Sequence, residues 1–187
     1  MTNPLFYAKI LLFGEYGIIE DSQGLTLPYS FYKGTLKFSE NQSDFEKKSN
    51  ESLSKYAQYL SELNLPEAFK INVEAFKKDI EKGLFFDSNI PQGYGVGSSG
   101  ALVAAIFEKY SFIKYNPEEI SKNQLKDLKK VFGELESYFH GKSSGIDPLI
   151  CYMNLPILIE NKESVDKVSI PKEEAGKGAI FLIDSGS

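Results

Sequence analysis

The sequence predicts an α+β fold, with helices on one face of a mixed, largely antiparallel sheet. The order of segments supports this: short apolar runs come first, amphipathic helical periods follow, and short apolar runs return at the end. The chain has 187 residues, 42% hydrophobic and 25% charged, which is typical of a globular chain with a sizeable core. This length predicts one domain, or one and a fraction.

The first part of the chain predicts three strands followed by two helices. Apolar runs bounded by glycine predict strands at Phe6–Phe13, 24–32 and 34–38. Apolar residues at helical spacing predict one helix around 53–63 and a second around 69–80 that ends at Gly83. Between the last of these strands and the first helix, residues 41–52 are the one soft, polar stretch.

The rest of the chain predicts one strand, two helices and three final strands. Residues 84–90 predict a strand, and the apolar segment 101–115 predicts a central, buried helix. Asn116 and Pro117 are a typical helix start, so a second helix is expected from there to Gly141, with a bend at Gly133. Short apolar runs predict strands at 156–160, 165–170 and 178–184.

The charge composition excludes some classes of partner and site. The formal net charge is −5, and all 21 basic residues are lysine, so a nucleic-acid partner is not expected. Without arginine, a phosphate must be held by lysine, backbone N–H groups, helix ends or a metal. Cys151 and His140 are each the single residue of their type, which excludes a disulfide framework and a zinc site of several Cys or His ligands.

The same features predict where the protein works. The N-terminus lacks a basic leader and a cleavage site, and no apolar run reaches the roughly 18 residues of a membrane span. We therefore expect a cytoplasmic protein with no membrane partner, and a homodimer is left open.

The glycine-rich segment PQGYGVGSSG at residues 91–100 is the first candidate site. Gly93, Gly95 and Gly97 alternate ahead of Ser98 and Ser99, which lie where a helix is expected to begin. Glycines let the backbone approach an anion closely, and a helix N-terminus carries about half a positive charge. The segment therefore suits a phosphate group.

Two other interpretations of this segment stay open. Ser98 or Ser99 could simply cap the helix. Alternatively, the spacing G-x-G-x-x-G, with Glu118 or Glu119 further on, fits a dinucleotide fingerprint, although Asn89, Pro91 and Gln92 interrupt the preceding strand. A Walker A loop is excluded because Gly100 is followed by Ala101 instead of lysine.

The segment ESYFHGKSSGID at residues 136–147 is the second candidate. It places Glu136 near the end of a helix and Asp147 after a flexible turn. A phosphate site with a hydroxyl acceptor needs oxygen ligands for a divalent cation and a carboxylate that orients the acceptor, which this pair could supply. The plainer interpretation is a solvated glutamate and a turn aspartate. His140, at the helix end, is expected to interact with the last carbonyls.

Three segments together resemble the GHMP kinases and, within them, the mevalonate kinases. AKILLFGEYGIIEDSQGLTLP resembles K-x-x-L-x-G-E-H-x-x-V, PQGYGVGSSGAL resembles P-x-G-x-G-L-G-S-S-A, and HGKSSGIDPLI resembles H-G-x-P-S-G-x-D. The resemblance implies the GHMP kinase N-terminal domain, with a ribosomal protein S5 domain 2-like fold. It further implies that residues 1–187 form this ATP-binding domain and that the C-terminal GHMP domain is absent from the chain.

The resemblance also implies an activity: transfer of phosphoryl from Mg-ATP to the primary hydroxyl of mevalonate, a small-molecule substrate, with ATP and Mg²⁺ as cofactors. Asp147 would be the catalytic base with Lys9 beside it, and Ser99 and Glu136 would bind the metal. The implied nucleotide-binding residues are Ser88, Gly93, Tyr94, Gly95, Val96, Gly97, Ser98 and Ser99. The implied substrate residues are Glu15, Tyr16 and Ser144.

The chain departs from the family patterns at several positions. Tyr16 replaces a histidine, Gly100 an alanine and Ser143 a proline. The change at Tyr16 keeps other acceptors open, so the alternatives are a GHMP kinase for a sugar, homoserine or phosphomevalonate, or a truncated, non-catalytic nucleotide-binding module. The isolated chain is expected to be inactive.

Overall fold

The computed structural model describes residues 3–14 and 23–169 and confirms the predicted α+β class. In these ranges the strands are β1 (Phe6–Phe13), β2 (Gly24–Phe38), β3 (Leu84–Ser88), β4 (Ile157–Ile159) and β5 (Val165–Lys167). The helices are α1 (Asp44–Glu62), α2 (Val73–Glu81), α3 (Ser98–Tyr110), α4 (Lys122–His140) and α5 (Ile146–Met153). The strand expected at 178–184 lies outside the described residues.

The sheet is built around β2. This strand pairs with β1 on one side, and with β3 and β4 on the other, while β5 extends the sheet from β4. Every ladder among the described strands is antiparallel. The two strands predicted at 24–32 and 34–38 are one strand of 15 residues. Gly34 does not interrupt it, because this residue pairs with Phe6 of β1 and with Ser88 of β3. The position needs glycine because the Phe86 ring packs directly over it and leaves no room for a Cβ.

Helix α3 lies at the centre of the core, as predicted, and is buried on nearly all sides. It packs against β1, β2, α4 and α5. Phe107 of α3, Phe132 of α4 and Tyr152 of α5 meet edge to face with ring centroids 5.0 to 5.5 Å apart. These contacts fix the relative positions of the three helices whose ends carry the candidate site residues.

Helix α1 occupies most of the stretch that the sequence indicated as soft and polar, so that interpretation was wrong. A capping box between Ser43 and Glu46 starts the helix. The Ser49 hydroxyl accepts from Phe86 N at 2.9 Å and also lies 3.4 Å from Phe86 O. The Asn50 amide donates to Leu84 O at 2.7 Å. These side chains of α1 pair with backbone N–H and C=O groups on the edge of β3 that faces away from β2. The helix is therefore stabilised by contacts with a distant strand, which the local sequence does not reveal.

The helices around the second candidate segment also differ from the prediction. Helix α4 begins at Lys122, because Ser121 and Gln124 form a capping box, and it continues unbroken through Gly133. Helix α5 was not predicted. It has only eight residues and contains Pro148, which is tolerated because it lies in the first turn.

No helix in the described part of the chain is long and apolar enough to cross a membrane.

We expect Ser49→Ala to lower the free energy of unfolding by about 1–3 kcal/mol, because it leaves backbone groups of Phe86 without their partner. The matched control is Ser54→Ala on the same helix, whose hydroxyl bonds only to Asn50 O, and which should change stability by less than about 0.5 kcal/mol. Urea unfolding followed by circular dichroism measures both. Equal losses in the two variants would contradict the role of Ser49 at the strand edge.

Candidate functional site

An open cavity of about 860 Å³ lies between α1, the end of β3, the glycine-rich segment and the start of α3. Phe139, His140 and Asp147 complete its wall. Both candidate segments therefore meet at one cavity. A second cavity of about 300 Å³, between α1 and α2, contains none of the predicted site residues.

The glycine-rich segment forms a loop whose backbone faces this cavity. Gly93, Gly95 and Gly97 all have positive φ, and a Cβ built on Gly93 or Gly95 would meet nothing within 4 Å. Gly97 is the N-cap of α3, and no side chain bonds to the first N–H groups of that helix. The interpretation of Ser98 or Ser99 as a helix cap is therefore wrong. The open backbone and the helix end suit an anion.

The Ser99 hydroxyl connects α3 to the end of α4. It donates to Glu136 Oε1 at 2.9 Å, and His140 Nε2 lies 3.0 Å from the Ser99 hydroxyl oxygen. Because Ser99 donates to Glu136, His140 must be the donor in its own contact with Ser99. His140 therefore contacts the candidate site, a role that was not predicted for it.

Glu136 is almost fully buried, with 3% of its surface exposed. Each of its carboxylate oxygens accepts a hydrogen bond from a hydroxyl group. Oε1 accepts from Ser99, and Oε2 accepts from Ser143 at 2.5 Å. Burial raises the pKa of Glu136 above its ordinary value, and the negative charge of Asp147 acts in the same direction. The hydrogen bonds from Ser143 and Ser99 oppose that rise by favouring the charged form.

Lys9 and Asp147 form an ion pair beside this group, with Nζ 3.0 Å from Oδ1. Lys9 is buried on β1, and its backbone N–H donates to Val96 O at 2.9 Å, which attaches the strand to the glycine loop. Asp147 lies in the first turn of α5, where a negative charge is favourable. The pair is thus held by a strand and a helix.

Helix α3 lies directly against α5 at Gly100. A Cβ built there would lie 2.7 Å from the Asp147 carbonyl carbon and 2.8 Å from Pro148 N. This chain therefore needs glycine where the family pattern has alanine, since a methyl group would push Asp147 away from α3.

The structure brings most of the predicted residues together. Those lining the cavity are Ser88, Gly93, Gly95, Val96, Gly97, Ser98, Ser99 and Asp147. Tyr94 is exposed in the same loop, Glu136 lies behind Ser99, and Lys9 pairs with Asp147. Ser144 is not among the described residues that line the cavity, and its hydroxyl accepts from Ile146 N. Glu15 and Tyr16 lie outside the described residues.

One wall of the cavity was missed by sequence reasoning. Phe45, Lys48, Ser49 and Ser52 of α1 line it. Their spacing places them on one helical face, and the capping box at Ser43 was the available signal for that helix. None of the ion pairs among the described residues involves Lys48.

A divalent cation would need further ligands at this site. Within residues 3–14 and 23–169, no three His, Cys, Asp or Glu side chains are grouped to hold a metal. Ser99 and Glu136 would supply two oxygen ligands. Proteins commonly bind Mg²⁺ through one or two such side chains, and water and substrate phosphates complete the coordination. The pair fits that mode of binding.

The dinucleotide-binding alternative is not supported. That fingerprint requires a parallel βαβ unit, whereas β3 is antiparallel to its neighbour β2. Glu118 and Glu119 lie in a turn ahead of α4, not at the end of a strand.

Residues 53–154, more than half of the chain, match the family model of the GHMP kinases N terminal domain. The fold is similar to the Methanococcus jannaschii mevalonate kinase, with a TM-score of 0.53 and 17% identity over 90% of this chain and 56% of that chain. It is also similar to the L. major mevalonate kinase solved with R-mevalonate, with a TM-score of 0.53 and 14% identity over 92% of this chain and 53% of that chain. A further mevalonate kinase structure has a TM-score of 0.54 and 17% identity, over 90% of this chain and 56% of that one.

The chain spans little more than half the length of these solved structures. At such identities the likeness shows a shared fold. No curated protein matches the chain.

We expect Gly100→Ala to destabilise the protein by about 1–3 kcal/mol, because the methyl group overpacks the contact with α5. Helix propensity alone predicts the opposite sign, a gain of up to about 1 kcal/mol. Chemical denaturation measures the sign directly. Gly100→Ser, which adds one more atom, should cost more, and a stabilised Gly100→Ala protein would refute the close approach.

Proposed function

Because this chain belongs to the GHMP kinase family, we propose that the protein transfers the γ-phosphoryl group of ATP to the primary hydroxyl of mevalonate. The observation that carries the proposal is the meeting of two groups of side chains at one cavity. The Ser99 hydroxyl lies 2.9 Å from Glu136 Oε1, and Lys9 pairs with Asp147, whose backbone packs against Gly100, the residue after Ser99. Phosphoryl transfer depends mainly on such positioning and on charge neutralisation.

The glycine loop and α3 are proposed to bind the triphosphate of ATP. In a chain without arginine, backbone N–H groups and a helix N-terminus are the available preorganised donors. The uncapped first turn of α3 and the open φ-positive glycines support this assignment. Ser88, the last residue of β3, lines the same cavity.

Ser99 and Glu136 are proposed as ligands of Mg²⁺, which when bound would neutralise charge on the phosphates. The oxygen chemistry of the pair and its place at the cavity support this. Asp147 is proposed to orient the acceptor hydroxyl and take its proton. Lys9 supplies a buried positive charge 3.0 Å from Asp147, which we propose would stabilise negative charge on the transferred group.

The choice of mevalonate rests on the H-G-K-S-S-G-I-D segment and on the fold shared with enzymes that are described as mevalonate kinases. The runner-up is another GHMP kinase acting on a sugar, homoserine or phosphomevalonate. A non-catalytic nucleotide-binding module is the alternative from a different class.

The remaining expectations belong to the same proposal. We assign residues 1–187 to the N-terminal, ATP-binding domain of the kinase, which is supported by the family match over residues 53–154. A cytoplasmic location, the absence of nucleic-acid and membrane partners, and a homodimer stay predictions.

The decisive experiment incubates the complete protein with Mg-ATP and a panel containing mevalonate, phosphomevalonate, homoserine and a sugar. Phosphorylated mevalonate is the expected product. Turnover of a different alcohol would show that the protein is a kinase but that mevalonate is not its acceptor. Binding of ATP without turnover and without dependence on Mg²⁺ would favour the non-catalytic module.

We expect Asp147→Asn to lower kcat by about 10² to 10⁴, which is the usual contribution of a positioned general base. Glu136→Gln should instead raise the concentration of Mg²⁺ needed for half-maximal rate, because it removes a charged ligand. Steady-state kinetics at several Mg²⁺ concentrations separates the two effects. Unchanged kinetics in both variants would remove this mechanism.

We expect Lys48→Ala to weaken ATP binding by about two- to fivefold, since an exposed charge contributes modestly. Lys48 lines the cavity, whereas its neighbour Lys47 does not, so Lys47→Ala is the matched control. Calorimetric titration with ATP and with adenosine measures the effect. If Lys48 contacts a phosphate group, Lys48→Ala loses affinity for ATP and keeps its affinity for adenosine. Equal affinities of the two variants for ATP would exclude a contribution of Lys48 to nucleotide binding.

A further inference from the structure

We propose that Ser143 is a positioning residue that orients Glu136 for sharing a divalent cation with Ser99. The cation role of Ser99 and Glu136 comes from the proposed function, on which the role of Ser143 therefore rests. Ser143 was singled out in the sequence only as a departure from the family pattern.

The two oxygens of Glu136 have separate partners. Oε2 accepts from the Ser143 hydroxyl at 2.5 Å, and Oε1 accepts from Ser99 at 2.9 Å. Ser99 lines the cavity and Glu136 is buried behind it. Oε1 is thus the oxygen on the cavity side, while Ser143 holds the oxygen on the other side. Because a buried carboxylate oxygen without a donor is unfavourable, the bond to Ser143 fixes the rotation of the carboxylate.

The direction of the Ser143 hydroxyl is itself determined by its surroundings. Its oxygen accepts from Gly145 N at 3.0 Å, so its proton is directed to Glu136. The backbone N–H of Ser143 donates to Ser137 Oγ at 3.2 Å, and Ser137 donates to Gly133 O at 2.7 Å. The loop of residues 141–145, between α4 and α5, is therefore attached to the last turns of α4, the helix that carries Glu136.

The close approach of loop and helix depends on glycine. A Cβ on Gly133 would lie 3.0 Å from Ser143 O, and Gly145 has a φ of +74° against the backbone of the same helix. With glycine at both positions, the loop comes close enough for the Ser143 hydroxyl to reach the carboxylate.

The family pattern H-G-x-P-S-G-x-D has proline at this position. Proline has neither a hydroxyl group nor a backbone N–H, so it could form neither the bond to Glu136 nor the bond to Ser137. In this chain, the bonds from Ser143 to Ser137 and to Glu136 hold the loop, where the family pattern relies on the rigid proline ring. The serine thereby gains a direct contact with the proposed metal ligand.

The test compares Ser143→Ala with Ser143→Thr, which keeps the hydroxyl, and with Ser54→Ala, a control whose hydroxyl bonds only to Asn50 O and does not line the cavity. ATP binding to the complete protein is titrated calorimetrically with and without Mg²⁺, and the ratio of the two affinities measures the contribution of the cation. We expect Ser143→Ala to reduce this ratio about tenfold, the size of one hydrogen bond to a charged group. Its metal-free affinity should stay within about twofold. Ser143→Thr and Ser54→Ala should keep the wild-type ratio.

An unchanged ratio in Ser143→Ala would overturn the role of Ser143 and leave the proposed function intact. An equal loss of affinity with and without Mg²⁺ would also overturn it, because that result means that Ser143 only shapes the loop. The wild-type titration tests the proposed function separately. If the wild-type protein bound no ATP, or bound it equally well without Mg²⁺, the cation site would be refuted together with the role of Ser143.

Discussion

The hydrogen bond from Ser99 to Glu136 is the contact on which the arrangement of the site depends. It ties the first turn of α3 to the last turns of α4, across 37 positions in the sequence. Burying the Glu136 carboxylate is unfavourable unless both oxygens find donors, and here hydroxyl groups supply them. In a chain without arginine, no guanidinium is available for that purpose.

Close backbone approaches make this contact possible. Gly100 lets α5 lie against α3, which places Asp147 beside the same turn that carries Ser99. The aromatic contacts between α3, α4 and α5 hold the three helices in that arrangement. On the other side, β1 brings Lys9 to the glycine loop through its bond to Val96. The four proposed site side chains, Lys9, Ser99, Glu136 and Asp147, are therefore all carried by strands or helices, which suits a reaction that depends on positioning.

The predictions that succeeded concern long or strongly periodic segments. Strand β1 was placed with its observed bounds, and α3 was expected to be central because it is apolar on all sides. Helix α5 was missed because eight residues with an internal proline resemble a turn. The first half of α1 was missed because its residues are polar, and its contacts with the edge of β3 become visible only after folding.

Local residue order was enough to predict the class of fold, the glycine-rich loop ahead of a helix and the family. These properties follow from periodicity, backbone freedom and motif spacing, all of which act over short stretches of chain. Which hydroxyl groups reach Glu136, that His140 contacts Ser99, and that α1 forms a wall of the cavity depend on how distant elements pack. Such contacts join residues far apart in the sequence, and close packing of the core, not local preference, selects them.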